Sequence, residues 1–433
     1  MTAISENGTD RAPDGWEIVE LGQIADLLNG YAFKSEDYAQ SGILNFRVVN
    51  IRDQGLIDAT NDIEFLPLEF THSHKQYLLS EGDILVVMVG ATRGKMGYIP
   101  AGILPALMNQ NMWRIVPKIR DDVDRRYLYY FLTLVVPKFV HEYSESARGF
   151  FKKSDFRSIK VPKPKFKEQQ SIAGVVDVAQ RAIEQQERLI ALTAELKKAL
   201  LHKLFSEGLR GEPQKQTEIG PVPESWEVVT LASLFEIKHG YAFEGEFFVA
   251  QGRYVLLTPG HFFEEGEFRD QNDKTKYYVG EIPRSYLLAK GDLLVAMTEQ
   301  KAGLLGSAII VPESEKFLHN QRLGLIQNLD EQRLDKLFLF YFFNTATVRK
   351  QIFLTSSGSK VRHTSPGKIR ELSIALPSLD EQGDIVQLLR AVDAKLEVTQ
   401  RKRQTMTDLF HTLLHQLMTA QIRVNDLDLP AAE

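Results

Sequence analysis

Apolar side chains recur every 3.5 residues through two long stretches of the chain, and this spacing predicts two long helices. Alternating steps of four and three residues connect Ile172 with Leu204 in one stretch and Ile385 with Leu417 in the other. The apolar positions of these two seams are Ile172, Val176, Ala179, Ile183, Ile190, Leu200 and Leu204, followed by Ile385, Leu389, Val392, Leu396, Met406, Phe410, Leu413 and Leu417.

A seam of this length needs a partner helix, and the simplest partner for each stretch is the other one. Polar residues lie midway in both seams, at Gln186, Thr193 and Lys197 in the first and at Thr399 and Arg403 in the second. Such residues cost stability and often fix the register and the number of partner helices. Two unrelated amphipathic helices, each packed on its own domain, are the competing interpretation, but the phase is kept in both stretches.

The two helical stretches belong to a duplication of nearly the whole chain. Several marks recur in the same order with a period near 210 residues, which excludes a short-period solenoid. The matched pairs are Pro13-Asp-Gly-Trp-Glu with Pro223-Glu-Ser-Trp-Glu, Gly30-Tyr-Ala-Phe33 with Gly240-Tyr-Ala-Phe243, Gly82–Met88 with Gly291–Met297, Asn109-Gln110 with Asn320-Gln321, and Asp124–Phe131 with Asp335–Phe342.

Each repeat begins with a strand-rich region that precedes its long helix. Short β-branched runs bounded by Gly, Asp and Asn predict strands at 46–51, 84–89, 254–258 and 293–297. Tyr127–Val136 and Phe338–Phe343 are apolar around most of their circumference, which predicts two buried helices.

The predicted fold is of the α+β class. It has two tandem mixed α/β domains and two long helices that pair as an antiparallel coiled coil about a pseudo-two-fold axis, with the domains at opposite ends. The predicted boundaries are a disordered leader at 1–13, a first domain at 14–165, a first helix at 166–205, a linker at 206–222, a second domain at 223–378, a second helix at 379–420 and a tail at 421–433.

Composition narrows the class of protein. The chain contains no cysteine, which excludes disulfides, thiolate metal sites and a cysteine nucleophile and is typical of a reducing compartment. Its first residues carry no apolar signal segment and no run approaches about 18 apolar residues, so we expect a cytoplasmic protein without a membrane span. The net charge of −5 argues against a uniformly basic coat but leaves local basic surfaces open.

The motifs of common catalytic and cofactor sites are missing or incomplete. Gly90–Met96 resembles a phosphate-binding loop, but it has one residue too few between its glycines and lacks the Ser or Thr that would hold magnesium. Neither a Gly-x-Gly-x-x-Gly motif nor the Pro-Pro of an amino-methyltransferase is present. His72 and His74 lack the spacing of a zinc site, and Pro312–Lys316 is too compressed for nuclease carboxylates. The sequence therefore predicts a chain without a metal, cofactor or catalytic centre of its own.

Basic and amide side chains instead predict contact with a nucleic acid. Basic residues cluster before each long helix and on the Gly-rich turn at 90–96, which suits phosphate binding, although a solvated surface is the competing interpretation. Asn-Gln-Asn at 109–111 and Asn-Gln-Arg at 320–322 contain the side chains that read adenine and guanine edges, or they cap loops. The candidate DNA-binding residues are Arg93, Lys95, Asn109, Gln110, Asn111, Arg148, Lys152, Lys153, Lys301, Asn320, Gln321, Arg322, Lys360, Arg362 and His363.

This ordered double set of marks resembles the specificity (S) subunits of Type I restriction–modification systems. The resemblance covers nearly the whole chain and rests on the tandem domain–helix plan and the marks matched above, with Leu376-Pro…Asp380-Glu-Gln382 before the second helix. The first repeat departs from the usual Leu-Pro-x-x-x-Glu-Gln pattern, because its helix is preceded by Val161-Pro-Lys-Pro-Lys-Phe-Lys-Glu-Gln169.

The resemblance implies two target-recognition domains that each read one half of a split, asymmetric sequence in double-stranded DNA. It also implies a helix pair that spaces the domains and docks two methyltransferase (M) subunits, which bind S-adenosylmethionine and methylate a flipped adenine. Restriction (R) subunits would add cleavage that needs ATP and Mg, and the S chain itself would do no chemistry.

The length of the helices agrees with this role. A helix of this length spans about 50 Å, and two reading heads on B-DNA need half-site centres about 34–36 Å apart. A helical turn inserted within 179–200 should therefore lengthen the gap between the half-sites.

Three other interpretations stay open from the sequence. The recognition subunit of a Type IIB-like enzyme shares this architecture but has a fused nuclease–methyltransferase as its partner. An enzyme with an unrecognised site would bind S-adenosylmethionine or a metal as an isolated chain. A protein-binding scaffold would show no salt-dependent binding of DNA by its assembled complex.

Overall fold

The computed structural model describes residues 12–52, 55–145, 152–300 and 303–427. The chain divides into two compact units, a first unit of Met1–Gln186 with Lys402–Glu433 and a second unit of Glu187–Arg401. Each unit contains one strand-rich domain and parts of both long helices. Residues 1–11 of the predicted leader and residues 428–433 of the predicted tail lie outside the described residues.

Short strands dominate the first repeat up to its long helix. Its elements are β1 Glu17–Glu20, α1 Leu21–Ile24, β2 Ala25–Asn29, β3 Ile43–Phe46, β4 Phe65–Leu66, α2 Phe70–Ser73, β5 Ile84–Val87, β6 Met96–Tyr98, β7 Ala106–Met108, β8 Met112–Pro117, α3 Arg125–Glu145, α4 Lys153–Arg157, β9 Lys160–Lys163 and α5 Phe166–Ser206.

The second repeat follows the same plan. Its elements are β10 Gln214–Thr217, β11 Gly220–Pro223, β12 Glu227–Thr230, β13 Glu236–His239, β14 Phe248–Val249, β15 Tyr254–Leu256, β16 Tyr277–Tyr278, β17 Leu293–Ala296, β18 Thr298–Glu299, β19 Ala308–Ile310, β20 Phe317–Leu318, β21 Leu323–Gln327, α6 Lys336–Phe343, α7 Ala346–Thr355, β22 Arg362–His363, α8 Pro366–Arg370, β23 Ser373–Leu376 and α9 Leu379–Met418.

Each unit contains an antiparallel four-stranded sheet with a wholly apolar inner strand. The strand order is β2-β8-β5-β6 in the first unit and β13-β21-β17-β19 in the second. Along β5, Ile84 and Val86 face the core that contains α3, and Leu85 and Val87 face the core under β3 and β7. Burial of both faces explains the unbroken apolar runs in the sequence.

The long helices α5 and α9 pair closely and antiparallel, as predicted. In the first unit, Ile172 near the start of α5 shares a core with Leu417 near the end of α9. In the second unit, Leu204 near the end of α5 shares a core with Ile385 near the start of α9. Every predicted seam position is buried or half-buried. Off the seam, Val178 and Val398 are exposed, whereas Leu201 and Leu414 are buried in the cores of the two units.

Polar seam residues find partners inside the helix pair. In the second unit, Lys197 Nζ lies 2.7 Å from the Asp393 carboxylate and 3.1 Å from Glu267. Thr193 and Thr399 each donate a hydroxyl hydrogen bond of 2.7 Å to a carbonyl four residues earlier. These polar positions are therefore accommodated without an unpaired buried charge.

The Glu-Gln sequence that begins each long helix joins the helix to its own domain. The side-chain oxygen of Gln169 accepts the Asp124 main-chain N–H at 2.8 Å, and that of Gln382 accepts the Asp335 N–H at the same distance. In both cases the amide nitrogen donates to the carbonyl of the proline five residues earlier, at 2.9 Å. The departure of the first repeat from the usual pattern therefore leaves these contacts unchanged.

A reciprocal ion pair ties the end of each long helix to the start of the other. In the first unit, the Arg423 guanidinium approaches the Glu168 carboxylate to 2.8 Å and also donates to the Asp14 carbonyl. In the second unit, Arg210 lies 3.6 Å from Glu381. Arg423 and Arg210 occupy equivalent positions after α9 and α5. We call each of these arrangements a clasp.

Two local expectations need correction. The predicted strand at 46–51 ends at Phe46, and Val48–Asn50 forms a 3-10 turn because the Asn50 side chain accepts the Arg47 N–H at 2.8 Å. The predicted linker contains the hairpin of β10 and β11.

Among the described residues, no helix is both long and apolar enough to cross a bilayer.

Candidate nucleic-acid interface

Each unit presents an Asn-Gln turn beside its Gly-Tyr-Ala-Phe tetrapeptide. The main chain of Tyr31 pairs with that of Asn109 in the first unit, and Tyr241 pairs with Asn320 in the second. Each tyrosine N–H donates to the carbonyl of the residue before the asparagine, at 3.1 Å and 2.9 Å. Two marks that recur far apart in the sequence therefore meet in both units.

The first glycine of the tetrapeptide permits this close approach. A Cβ atom at Gly30 would lie 1.9 Å from the Asn109 carbonyl oxygen, and one at Gly240 would lie 1.9 Å from the Asn320 carbonyl oxygen. No side chain tolerates such a contact, which accounts for glycine at both positions.

The first residue of each turn is internal, and the next two are exposed. Asn109 Oδ1 accepts the Gln110 N–H at 2.8 Å, and Asn320 Oδ1 accepts the Arg322 N–H at 3.0 Å. Both asparagines are buried, so they hold the shape of the turn. The turn side chains that a ligand can reach are Gln110, Asn111, Gln321 and Arg322.

The third residue of each turn has an equivalent backbone position. Its carbonyl accepts an N–H from the residue after the buried inner strand, from Met88 to Asn111 at 3.1 Å and from Met297 to Arg322 at 2.9 Å. The side chains of Asn111 and Arg322 thus start from the same place in the two units but differ in chemistry.

Part of the first basic run lies next to this turn. Lys152 is exposed at the start of α4, and Lys153 Nζ donates to Asn29 Oδ1 at 3.2 Å, one residue before Gly30. Burial, followed by the charge of Arg157, lowers the pKa of Lys153. The predicted contact Arg148 lies outside the described residues.

Other members of that run have internal roles. Lys160 pairs with Glu20 at 2.8 Å across the β1–β9 ladder, and Lys163 pairs with Asp122 at 2.7 Å. These two lysines are paired with carboxylates of their own domain, so the part of the run that is open to phosphates is shorter than the sequence indicates.

The second basic run also contains exposed cations. Lys360 and His363 are exposed, and the Arg362 guanidinium lies 3.9 Å from the centre of the Phe353 ring. The predicted contact Lys301 lies outside the described residues.

This second run adjoins the Asn-Gln turn of its unit. The Thr364 N–H donates to the Met297 carbonyl at 2.9 Å, and the Met297 N–H donates to the Arg322 carbonyl at the same distance. Exposed amide, guanidinium and imidazole groups are thereby grouped on one part of the second unit.

Arg93 and Lys95 follow Met88, whose N–H donates to the Asn111 carbonyl of the turn. Both are half-buried on the hairpin between β5 and β6. Lys95 lines a cavity of about 820 Å³ in the first unit together with Arg126, Arg181 and His411, and no residue of the Asn-Gln turn lines it. In the described part of the chain, no cluster of His, Asp and Glu is placed to hold a metal ion.

Sequence reasoning missed two residues of this surface, Tyr31 and Tyr241. They lie directly beside the turns, with 39% and 38% of their surface exposed. The signal in the sequence was the Gly-Tyr-Ala-Phe tetrapeptide, which is identical in the two repeats. Packing explains why its glycine and its buried phenylalanine, Phe33 or Phe243, are the same in both, and this leaves the tyrosine to be explained.

A buried histidine underlies the second turn only. His319 is fully buried, its Nε2 donates to the Leu323 carbonyl at 2.8 Å, and its Nδ1 has no partner among the described residues. Burial lowers the pKa of His319 to about 4, with smaller effects of the Leu323 hydrogen bond in the opposite direction and of Lys238 and His239 in the same direction.

Acid should therefore loosen the second turn. The pKa of His319 in the folded unit lies below the ordinary value near 6.5. Between about pH 6.5 and 4, His319 is therefore protonated in the unfolded chain but neutral in the folded unit. The contribution to stability is complete above pH 6.5, and about 2 kcal/mol of it is lost at pH 5.

The first unit has Met108 at the equivalent position. We expect His319→Met to keep hydrogen-exchange protection of residues 317–325 nearly constant from pH 7 to 5, after correction for intrinsic exchange, whereas wild type loses protection. Equal losses in both proteins would contradict this role of His319.

Comparisons with known proteins agree with the duplicated plan. The family model for the Type I restriction modification DNA specificity domain matches residues 13–194 and again residues 223–407. The Type I restriction enzyme MjaVIII specificity subunit of Methanocaldococcus jannaschii is 24% identical over 434 residues, which cover 96% of this chain and 95% of that protein.

Two solved structures share the fold. An S subunit of a Type I restriction–modification system from M. genitalium has a TM-score of 0.57 at 15% identity and covers 96% of this chain and 99% of that one. A chain from a study of complex assembly and conformational transition in the type I R-M system has a TM-score of 0.53 at 15% identity, with coverage of 96% and 100%.

Proposed function

The chain belongs to the Type I restriction modification DNA specificity domain family, and on that premise we propose that each repeat reads one half of a split, asymmetric DNA site. The chain supplies recognition, and its partner subunits supply the chemistry. Methyltransferase subunits would carry S-adenosylmethionine and methylate adenine at N6, and restriction subunits would cleave DNA with ATP and Mg.

The exposed Asn-Gln turn, present once in each unit, is the observation that supports half-site reading best. Its reachable side chains are Gln110 and Asn111 in one unit and Gln321 and Arg322 in the other. Asn and Gln pair with adenine edges in the major groove, whereas Arg pairs with guanine. Two similar surfaces with different third residues suit two half-sites of different sequence.

Exposed leucines on the long helices support docking of two partner subunits. Leu196 on α5 and Leu409 on α9 occupy equivalent positions in the two repeats and are 52% and 61% exposed. Single exposed apolar residues are common on protein surfaces, so the support comes from the recurrence of this leucine at the equivalent position of both helices. A duplicated contact fits two copies of one partner.

Coexpression with the methyltransferase subunit encoded beside this chain tests the proposal. We expect native mass spectrometry to show one S chain with two M subunits. Single-molecule sequencing should show N6-methyladenine in a split, asymmetric motif. A fused nuclease–methyltransferase partner would indicate the Type IIB-like class, and a chain that induces no methylated motif would refute the proposal.

Arg322→Asn tests half-site reading directly, because Asn is the residue at the equivalent turn position of the first unit. We expect one position of one half-site to shift from guanine towards adenine, with discrimination of about 1–3 kcal/mol, or roughly 5- to 150-fold. Asn111→Arg is the matched control and should alter the other half-site. An unchanged methylated motif in both variants would contradict base reading by these turns.

A further inference from the structure

Two partly exposed tyrosine rings lie beside the turns, one in each unit. Resting on the proposed function, we infer that Tyr31 and Tyr241 are DNA-contacting residues whose rings each pack against one base of their own half-site. The turns provide polar groups for base edges, and the tyrosines provide an apolar surface next to them.

The ring of Tyr31 is held in place by other aromatic rings of the first unit. Its centroid lies 5.0 Å from that of Phe33, 4.7 Å from that of His74 and 5.1 Å from that of Tyr77. A ring fixed in this way loses little conformational entropy when it meets a ligand. The neighbouring rings therefore restrict the motion of the Tyr31 ring and leave part of it exposed to solvent.

Tyr241 has a similar setting in the second unit. Its ring centroid lies 5.1 Å from Phe243 and 5.2 Å from Tyr286. The Lys238 ammonium lies 4.2 Å from the centre of the Tyr286 ring. In the first unit, Lys153 is the cation nearby, through its hydrogen bond to Asn29.

Burial separates the two aromatic residues of each tetrapeptide. Phe33 and Phe243 are buried and anchor the segment, whereas Tyr31 and Tyr241 keep more than a third of their surface in contact with solvent. Neither tyrosine hydroxyl has a hydrogen-bond partner among the residues that the structure describes. Both tyrosines thus take the same partly exposed place beside the turn, where a ligand of the turn can reach their rings.

Aromatic rings next to cations and amides are well suited to nucleic acids. Base faces are stacked on their neighbours in an intact duplex, so a ring beside an edge-reading amide would meet a base edge or the methyl group of thymine. Loss of a base–aromatic contact weakens binding roughly 5- to 100-fold. Each tyrosine would thus raise the affinity for DNA only when a base is present at one particular position of its half-site.

An abasic scan of the methylated motif tests the inference. Affinity is measured for the complete complex with methyltransferase subunits, using duplexes that lack one base at a time in each half-site. We expect Tyr31→Ala to weaken binding of the intact duplex roughly 5- to 100-fold. At one position of a single half-site, removal of the base should cause no further loss of affinity in this variant. Tyr241→Ala should show the same non-additivity at a position in the other half-site.

Conservative and distant variants separate a ring contact from a folding defect. Tyr31→Phe and Tyr241→Phe keep the ring and should bind within about threefold of wild type. Ile119→Ala is the matched control, because Ile119 is 64% exposed and lies just beyond the end of β8 that is far from the turn. Its affinity should not change.

Three results would overturn the inference. One is wild-type affinity in both alanine variants, another is an equal loss in the phenylalanine variants, and the third is full additivity with every abasic position. Each of them leaves the proposed function intact, because that function is tested separately by whether the wild-type complex methylates a split motif.

Discussion

Replacing Glu381 by alanine is expected to lower the free energy of unfolding of the second unit by about 2–4 kcal/mol. The carboxylate is almost fully buried and accepts the Leu209 N–H at 3.0 Å and the Trp226 indole N–H at 3.3 Å. Its removal leaves the buried Trp226 indole N–H without an acceptor and takes away the acceptor of the part-buried Leu209 N–H. Arg210 adds little to this figure because it is mostly exposed.

The first unit supplies a matched comparison. Glu168 is only half-buried and binds Arg423, and the Trp16 indole nitrogen has no partner among the described residues. Glu168→Ala should therefore cost less, about 1–2 kcal/mol. Urea unfolding followed by hydrogen exchange resolves the two units. Equal losses in the two variants would contradict the role assigned to the buried carboxylate.

Lengthening both long helices by one turn is expected to widen the gap in the methylated motif. Duplication of Ile183–Gln186 in α5 and of Val398–Arg401 in α9 places the extra turns where the chain passes from one unit to the other. Four residues add about 6 Å of helix, which corresponds to one or two base pairs. A four-residue insertion nearly preserves the seam.

The control insertion adds the same four residues at Gly211 in the linker, where an added Cβ would meet no neighbour within 4 Å. This insertion lengthens the chain without lengthening a helix, so the gap should stay as in wild type. Methylome sequencing of the three proteins gives the answer. An unchanged gap after the helix insertions, with both half-sites still read, would refute the spacer role.

The long helices could be predicted from the sequence because their information is periodic. An apolar residue every 3.5 positions over this length indicates a helix that packs against a partner helix. Central strands were also readable, because β5 and β17 are buried on both faces and consist of unbroken apolar runs. The duplication strengthened each prediction, since every mark could be checked against its equivalent.

The remaining features depend on contacts between residues that are distant in the sequence. The strand expected at 46–51 was wrong because Asn50 caps a turn through its side chain. A lysine run does not reveal which members bind Glu20 or Asp122 inside the domain. The exposure of Tyr31 follows only from the way its segment meets the Asn109 turn.

The two clasps relate the linker to the C-terminal segment. Arg210 in the linker and Arg423 after α9 occupy equivalent positions, and each lies next to the glutamate at the start of the other long helix, although Arg423 is the closer of the two. A single repeat carries one arginine and one glutamate of this kind, so two separate copies of one repeat have the residues to exchange these contacts as a closed homodimer.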